Sequence, residues 1–324
     1  MKKTIFMLGI VSAILAGCES DDKVENISGE NQISNSAERR NCASDNVLKD
    51  QMAKDPQLAM KIAQIEAFTQ SKLNDNFGSR LVNGVIEIPV VVNVLYKTTA
   101  ENISQAQIQS QIDVLNKDFN ATNSDYNNVP STFSNVKANV GIRFVLDQVV
   151  RKSTTKTSWG TNDAMKKSAQ GGLSPISSTT KLNLWVCTIG GGILGYAQFP
   201  GGSSATDGVV IDSKYFGNTG TVTYPYNLGR TATHEVGHWM NLRHIWGDAT
   251  CGSDLVADTP SHNAANYGAP VFPHYSTCTG TPVEMTMNYM DYVDDRAMFM
   301  FSANQKSRML AIFQSGGPRY SFAQ

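Results

Sequence analysis

The sequence predicts an α+β fold: a mixed, mainly parallel five-stranded sheet with two long helices, then a loop-rich region closed by a C-terminal helix. Three observations predict it. Five β-rich, mostly apolar runs fall between residues 86 and 212, with one amphipathic helical pattern after the first. A second helical pattern near residue 230 carries two histidines four residues apart. From residue 245 regular patterning fades until a short helical stretch after Ser302.

The N-terminus reads as a targeting segment. Lys2 and Lys3 precede an apolar run from Ile5 to Leu15, which is too short to cross a bilayer. Leu15-Ala16-Gly17-Cys18 resembles a bacterial lipobox, and cleavage by that resemblance leaves Cys18 as a lipidated first residue. The simpler alternative is a secretory peptide in which Cys18 is incidental. The expected location is therefore outside the cytoplasm. The chain would be lipid-anchored to a bacterial outer membrane or cell surface, or released in a secreted, mature form. The acidic run Glu19-Ser20-Asp21-Asp22 looks like a surface-exposure signal.

Residues 19–46, rich in Ser, Asn, Asp and Glu, read as a tether. A helical pattern follows over 47–73 with Leu58, Ile62, Ile65 and Leu73, restarted at Asp55-Pro56 because proline suits a first turn. Ile86 to Tyr96 is a buried strand. Ser104 caps a helix whose apolar positions are Ile108, Ile112, Leu115 and Phe119. Residues 120–140 are loop. Further strands are expected at Ile142–Val150, Leu182–Cys187, Ile193–Phe199 and Gly208–Asp212. The second long helix begins near Leu228 to Arg230. A last one runs from Ser302, its N-cap, to about Gln314, stopped by Gly316-Gly317-Pro318. There is no internal repeat.

The 324 residues allow one large domain or two, and 41% hydrophobic with 17% charged residues suits a globular protein. A net charge of −1 gives no argument for a nucleic-acid partner. No later stretch is long and apolar enough to span a membrane.

Chemistry concentrates in Thr233-His234-Glu235-Val236-Gly237-His238-Trp239-Met240-Asn241-Leu242-Arg243-His244, which holds three of the five histidines. His234 and His238 share one helix face and can grip a Zn²⁺ ion, with Glu235 placed to take a proton from a water on the metal. His244 reaches the same ion only if the helix stops and the chain turns back. Asn241, one of the few non-glycine residues that visits the left-handed region readily, permits that turn. Three protein ligands leave a fourth position open, as in catalytic rather than structural zinc sites.

This motif together with Asn288-Tyr289-Met290-Asp291-Tyr292 resembles the zinc helix and Met-turn of a metzincin peptidase. The flanking Leu194–Pro200, Asp207–Ile211, Trp246-Gly247-Asp248, Cys251–Asp254, Asp258-Thr259-Pro260 and Met290–Asp295 are similar to the pappalysin family and its ulilysin-like bacterial branch. The resemblance covers roughly residues 85–315. It departs at Asn241, where the metzincin pattern has glycine.

The resemblance implies a metzincin-type catalytic domain over 85–324, with an upper subdomain to about 244 and a lower one over 245–324, and a tether and prosegment over 19–84. It implies a zinc-dependent endopeptidase with His234, His238 and His244 as ligands, Glu235 as general base, Met290 as the apolar floor and Tyr292 as donor to the oxyanion. A protein or peptide substrate would lie extended along the edge strand near Leu194–Phe199. Relatives prefer a basic residue after the scissile bond, for which Asp294 and Asp295 are the candidate acids, although Arg296 beside them can neutralise one. The resemblance further implies a Cys251–Cys278 disulfide, a Ca²⁺ site including Asp254, Asp258 and Thr259, and a monomeric enzyme. Cys42 has two accounts. By resemblance its thiolate fills the open zinc position as a latency switch. Alternatively it pairs with Cys187, its only spare partner. The competing function is a zinc-holding surface lipoprotein that binds without cleaving, and an intact Glu235 argues against it.

Overall fold

The first sheet strand, β1 (Ile86–Tyr96), spans the residues that the sequence predicts, and its neighbours explain its composition. It lies between β3 (Ile142–Ser153) and β4 (Leu182–Cys187), parallel to both, so apolar side chains are needed on both of its faces. The computed structural model describes residues 39–73 and 85–322. The expectations for Cys18, the signal segment and most of the tether lie outside the described residues.

In chain order the elements are α1 (Ser44–Lys54), α2 (Pro56–Lys72), β1, α3 (Gln105–Phe119), β2 (Lys137–Ala138), β3, β4, β5 (Gly195–Ala197), β6 (Val209–Asp212), α4 (Arg230–Trp239), β7 (Phe301–Ser302) and α5 (Ala303–Ala311). The Asp55-Pro56 restart is present: the Asp55 side chain accepts from Gln57 N–H and Pro56 occupies the first turn. Ser104 caps α3 in the same way, accepting from Gln107 N–H at 3.1 Å. Ser302 and Gln305 form a reciprocal capping box on α5.

The five-stranded sheet has the order β3-β1-β4-β6-β5, and only β5, at one edge, runs antiparallel to its neighbour. Alternation splits the strands between two cores. Val90, Val92, Val94, Leu184, Val186 and Ile211 face the core shared with α3 and α4. Trp185, Cys187 and Val210 face a smaller one containing Trp159, Met165 and Tyr196. Cys187 is a free, buried thiol there, and Cys42 is free elsewhere, so the Cys42–Cys187 disulfide alternative is overturned.

Several boundaries differ from expectation, among them the start of α1 at Ser44 and the end of β3 at Ser153. The fourth strand pairs only over Gly195–Ala197, because the chain is turning on either side. The 120–140 loop contains β2, which pairs antiparallel with β7. Helix α5 ends at Ala311, and the next turn tightens to i→i+3 bonds such as Phe313 N–H to Leu310 O. Beyond α4 the chain is mostly loop, stapled by the Cys251–Cys278 disulfide that the resemblance implied. No described helix is long and apolar enough to cross a membrane.

Candidate metal centre and catalytic cleft

Every residue of α4 is buried. Its N-terminal Arg230 is neutralised by Asp125 and Asp118, and Thr233 donates to Asp118 at 2.7 Å. At the other end Asn241 N–H bonds His238 O at 2.9 Å and Leu242 N–H bonds Gly237 O at 3.0 Å. With Asn241 at φ 73°, these bonds form a Schellman C-cap. The left-handed turn expected at Asn241 is therefore present, and it returns the chain so that His244 faces the helix.

The three histidines converge. His238 Nε2 lies 3.2 Å from His234 Nε2 and 3.1 Å from His244 Nε2. Each Nδ1 already has an oxygen partner: Tyr289 O at 2.7 Å for His234, Leu242 O at 2.8 Å for His238, and the Asp248 carboxylate for His244. Those partners hold the ring protons on Nδ1, so three Nε2 lone pairs point at one another with no proton between them. Burial, reinforced by the neighbouring histidines, keeps His234 well below its usual range and His238 at about 3. Three converged, uncharged acceptors in a dry site fit a zinc ion.

Beneath them lies Met290, fully buried. A Cβ at residue 237 would sit 2.5 Å from Met290 Sδ, so Gly237 is what lets the Met-turn approach α4. Trp246 stacks on His244 at 4.4 Å with an interplanar angle of 7°. Tyr292 flanks His244 at 4.9 Å between ring centroids.

The N-terminal segment threads this cleft. It runs parallel to β5, with Leu194 N–H bonding Asn41 O at 2.9 Å and Ala43 N–H bonding Gly195 O at 3.1 Å. Cys42 Sγ lies with the three histidine nitrogens in a group whose members are all within 4.8 Å of one another. The Tyr292 hydroxyl donates to Cys42 O at 3.1 Å. Glu235 accepts from the Ser44 hydroxyl at 2.7 Å and from the Cys42 thiol at 3.3 Å. Burial lifts Glu235 to about 7 despite these donors, and burial together with Glu235 pushes the Cys42 thiol well up.

The candidate acids separate. Asp295 is fully buried and meets Arg40 Nη2 at 2.6 Å. The Arg40 guanidinium also donates to Val293 O at 3.2 Å and Thr231 Oγ1 at 3.3 Å, and lies 4.8 Å over the Tyr226 ring. Asp294 instead faces Arg296 at 3.6 Å, the neutralisation foreseen for one of the pair.

Comparison with known proteins agrees with this geometry. A family model described as Peptidase_M43, pregnancy-associated plasma protein-A, matches residues 186–314. An extracellular metalloprotease of Pyricularia oryzae is 33% identical over 264 residues, covering 78% of this chain and 82% of that protein. Extracellular metalloprotease 1 of Coccidioides posadasii is 32% identical over 243 residues, covering 71% and 77%. Among solved structures, mature mirolysin of Tannerella forsythia with a cleaved peptide is 44% identical, covers 74% of this chain and 95% of its own, and has a TM-score of 0.71. A promirolysin mutant is 40% identical, covers 87% and 97%, and has a TM-score of 0.80.

The chain belongs to the pappalysin family of metalloendopeptidases. Its fold is the metzincin fold of mirolysin. In this pappalysin the calcium candidates have different hydrogen-bond partners. Thr259 Oγ1 donates to Asp254 at 2.9 Å, whereas Asp258 accepts from Ser302 Oγ at 2.6 Å and Asn304 N–H at 2.9 Å, at the start of α5. Sequence reasoning gave no site role to Arg40, Thr231, Ser44, Gly237 or Asp248. Asp248 had a signal in Trp246-Gly247-Asp248, and Arg40 had one in the paired arginines before Cys42. Nothing local marked Ser44.

Proposed function

We propose that this metalloendopeptidase is an exported enzyme made as a latent precursor, that it prefers substrates with a basic residue after the scissile bond, and that residues 19–84 form its tether and prosegment. One observation carries the proposal. The segment offers Cys42 to the histidines, Ser44 to Glu235 and Arg40 to Asp295, so each group that chemistry or recognition needs is occupied at once. The greater coverage of promirolysin than of mature mirolysin supports it, as do the extracellular metalloproteases among the relatives.

A zinc ion held by His234, His238 and His244 supplies the Lewis acidity that polarises a carbonyl and acidifies a water molecule. Glu235, freed of Ser44 and Cys42, takes the proton of the attacking water and returns it to the leaving amine. The Tyr292 hydroxyl, freed of Cys42 O, donates to the carbonyl oxygen as charge develops on it. The substrate pairs with β5 in place of residues 41–43 but runs in the opposite direction, antiparallel to β5, so that the basic side chain after its scissile bond replaces Arg40 on Asp295. Met290 contributes support rather than chemistry. The test is peptide-library digestion by the activated enzyme, with and without a chelator, beside Glu235→Ala. Cleavage before Arg or Lys that the chelator and the substitution abolish is the expected result. Absence of cleavage across the library would favour the zinc-holding binding protein instead.

Calcium is the second metal of the proposal. Asp254 is buried with no ion-pair partner among the described residues, and burial lifts it to about 6 although Thr259 and Val256 N–H donate to it. Unfolded, the same carboxyl releases its proton near ~4. The cation-free native state therefore binds more protons, and stability falls as pH rises between those values. A Ca²⁺ ion on Asp254 and Thr259 reverses that loss. Added Ca²⁺ should raise Tm at pH 7.5, do less at pH 5, and do nothing in Asp254→Asn.

A further inference from the structure

We propose that Tyr267 is a second specificity-determining residue, an aromatic face that reads the substrate side chain immediately outward of the basic one and favours a guanidinium there. The inference rests on the substrate reading above and extends it by one position. Arg39 and Arg40 are neighbours, yet their side chains go to different places, as successive residues of an extended chain do. Arg40 enters the buried Asp295 site, and Arg39 lays its guanidinium over the Tyr267 ring, 5.0 Å from the centroid. Counting away from Cys42 at the metal, Asn41 comes first, Arg40 next and Arg39 after it. A substrate that runs opposite to the segment, antiparallel to β5, with its basic residue on Asp295 would thus bring its following residue to Tyr267.

The ring is fitted for recognition. At 40% exposed it is one of the few large apolar side chains presented to solvent among the described residues. An exposed ring ordinarily moves with its loop, but both of this residue's neighbours are clamped. Asn266 N–H donates to Asp291 Oδ1 at 2.8 Å, and its side-chain amide donates to Asp291 Oδ2 at 3.0 Å and Glu284 Oε2 at 2.8 Å. On the other side Gly268 O accepts from Asp294 N–H at 2.7 Å. Asp291 precedes Tyr292, and Asp294 precedes Asp295. The loop carrying Tyr267 is therefore fastened to the segment that presents the oxyanion donor and the recognition acid. Its ring centroid lies 6.0 Å from that of Tyr292, which places it on the cleft rim. On the facing segment Asp294 pairs with Arg296, the Asp291 and Glu284 carboxylates are engaged by Asn266, and the ring quadrupole offers an attraction for an incoming cation.

A guanidinium over an exposed ring is worth about 0.5–1 kcal/mol, or roughly 2- to 5-fold in kcat/KM. The test uses the full chain activated by limited proteolysis, with peptides that differ at either of the two positions after the scissile bond. With Arg fixed at the first position, Arg at the second should outperform Ala and Glu by that factor. Tyr267→Ala should erase the difference while keeping the first-position preference, and Tyr267→Phe should retain both. A parallel measurement needs no turnover: the peptide Arg39–Ser44 should inhibit the activated enzyme about 2- to 5-fold better than its Arg39→Ala version, and equally well in Tyr267→Ala. A flat second position beside an intact first-position preference overturns this inference alone. Loss of the first-position preference overturns the substrate reading, and the inhibitor pair then decides Tyr267. A uniform fall in Tyr267→Ala, unchanged in selectivity, makes the residue structural and also overturns the inference.

Discussion

The N-terminal segment holds the catalytic body at two places built on different principles. At the cleft, residues 39–44 use chemistry: a thiol among histidines, a hydroxyl on Glu235 and a guanidinium on Asp295. Far along the segment, α2 uses packing and charge. Ile62 and Ile65 pack over Gly201, where a Cβ would sit 2.8 Å from Ile65 Cδ1. Glu66 grips the buried Arg308 of α5 with both oxygens, and Asn241 donates to Thr69 Oγ1 at 3.2 Å. The first contact blocks and the second retains. A six-residue stretch resembling a substrate would exchange quickly on its own, whereas tethering by α2 raises its effective concentration at the cleft. Arg308 also donates to Asn241 O at 2.8 Å, so the distal contact bears directly on the turn that delivers His244.

The comparison breaks most sharply at the cleft. Among the described residues, Arg40→Ala leaves Asp295 with the Leu228 and Arg230 N–H groups as its donors, and loss of a buried ion-pair partner costs about 3 kcal/mol or more. Activation of the precursor should accelerate about 100-fold, read as the lag before peptide cleavage, with kcat/KM of the activated enzyme unchanged. Cys42→Ala should shorten the lag in the same way, since it removes the ligand offered to the metal. A lag as long as that of the native precursor in both variants would assign the blocking role elsewhere.

Glu66→Ala tests the distal contact. Glu66 is partly exposed, so the loss is smaller than at Arg40, about 1–2 kcal/mol, with leakage of latency on the order of 10-fold. Acid should mimic it. Burial draws the Glu66 carboxyl upward, but the Arg308 hydrogen bond and charge hold it below the usual carboxylate range. Its contribution is therefore full above roughly pH 4.3 and disappears as pH falls through the lowered value. Segment release followed by fluorescence should show an acid limb that Glu66→Gln flattens. An unchanged limb would place the acid sensitivity at another carboxylate.

These two contacts were unequally legible. His234, His238 and Glu235 lie within one turn of a helix, and His244 only six residues on, so spacing alone exposes them. Ile86–Tyr96, Gln105–Phe119 and Leu182–Cys187 matched in extent because caps and apolar runs are local signals. Ser44 meets Glu235 across a separation of 191 residues, and Arg40 meets Asp295 across 255, so only the fold creates those pairs. The contacts of Asp258 with Ser302 and Asn304 at the start of α5 are of the same kind, and no loop composition reveals them. Cys42 was decided by burial and neighbours, because cysteine counting alone left its pairing with Cys187 open.

Asn241 yields the smallest effect and the finest discrimination. In the activated enzyme, Asn241→Gly relieves the left-handed backbone of its Cβ but adds freedom to the unfolded chain, two opposed terms of about 0.5–1 kcal/mol. Stability of that form should hold to within ~0.5 kcal/mol. In the latent form the same change also removes the bond to Thr69, whose hydroxyl keeps its donation to Ile65 O at 2.8 Å, so about 1 kcal/mol is lost from the α2 contact alone. Thermal unfolding of both forms should therefore respond differently to one substitution, with Thr69→Val lowering the latent form by a similar amount and Asn241→Gly adding nothing in the Thr69→Val background. Equal destabilisation of the two forms would mean that the Asn241 side chain serves the His244 turn. A loss confined to the latent form would mean that asparagine stands in place of glycine here because the precursor uses it.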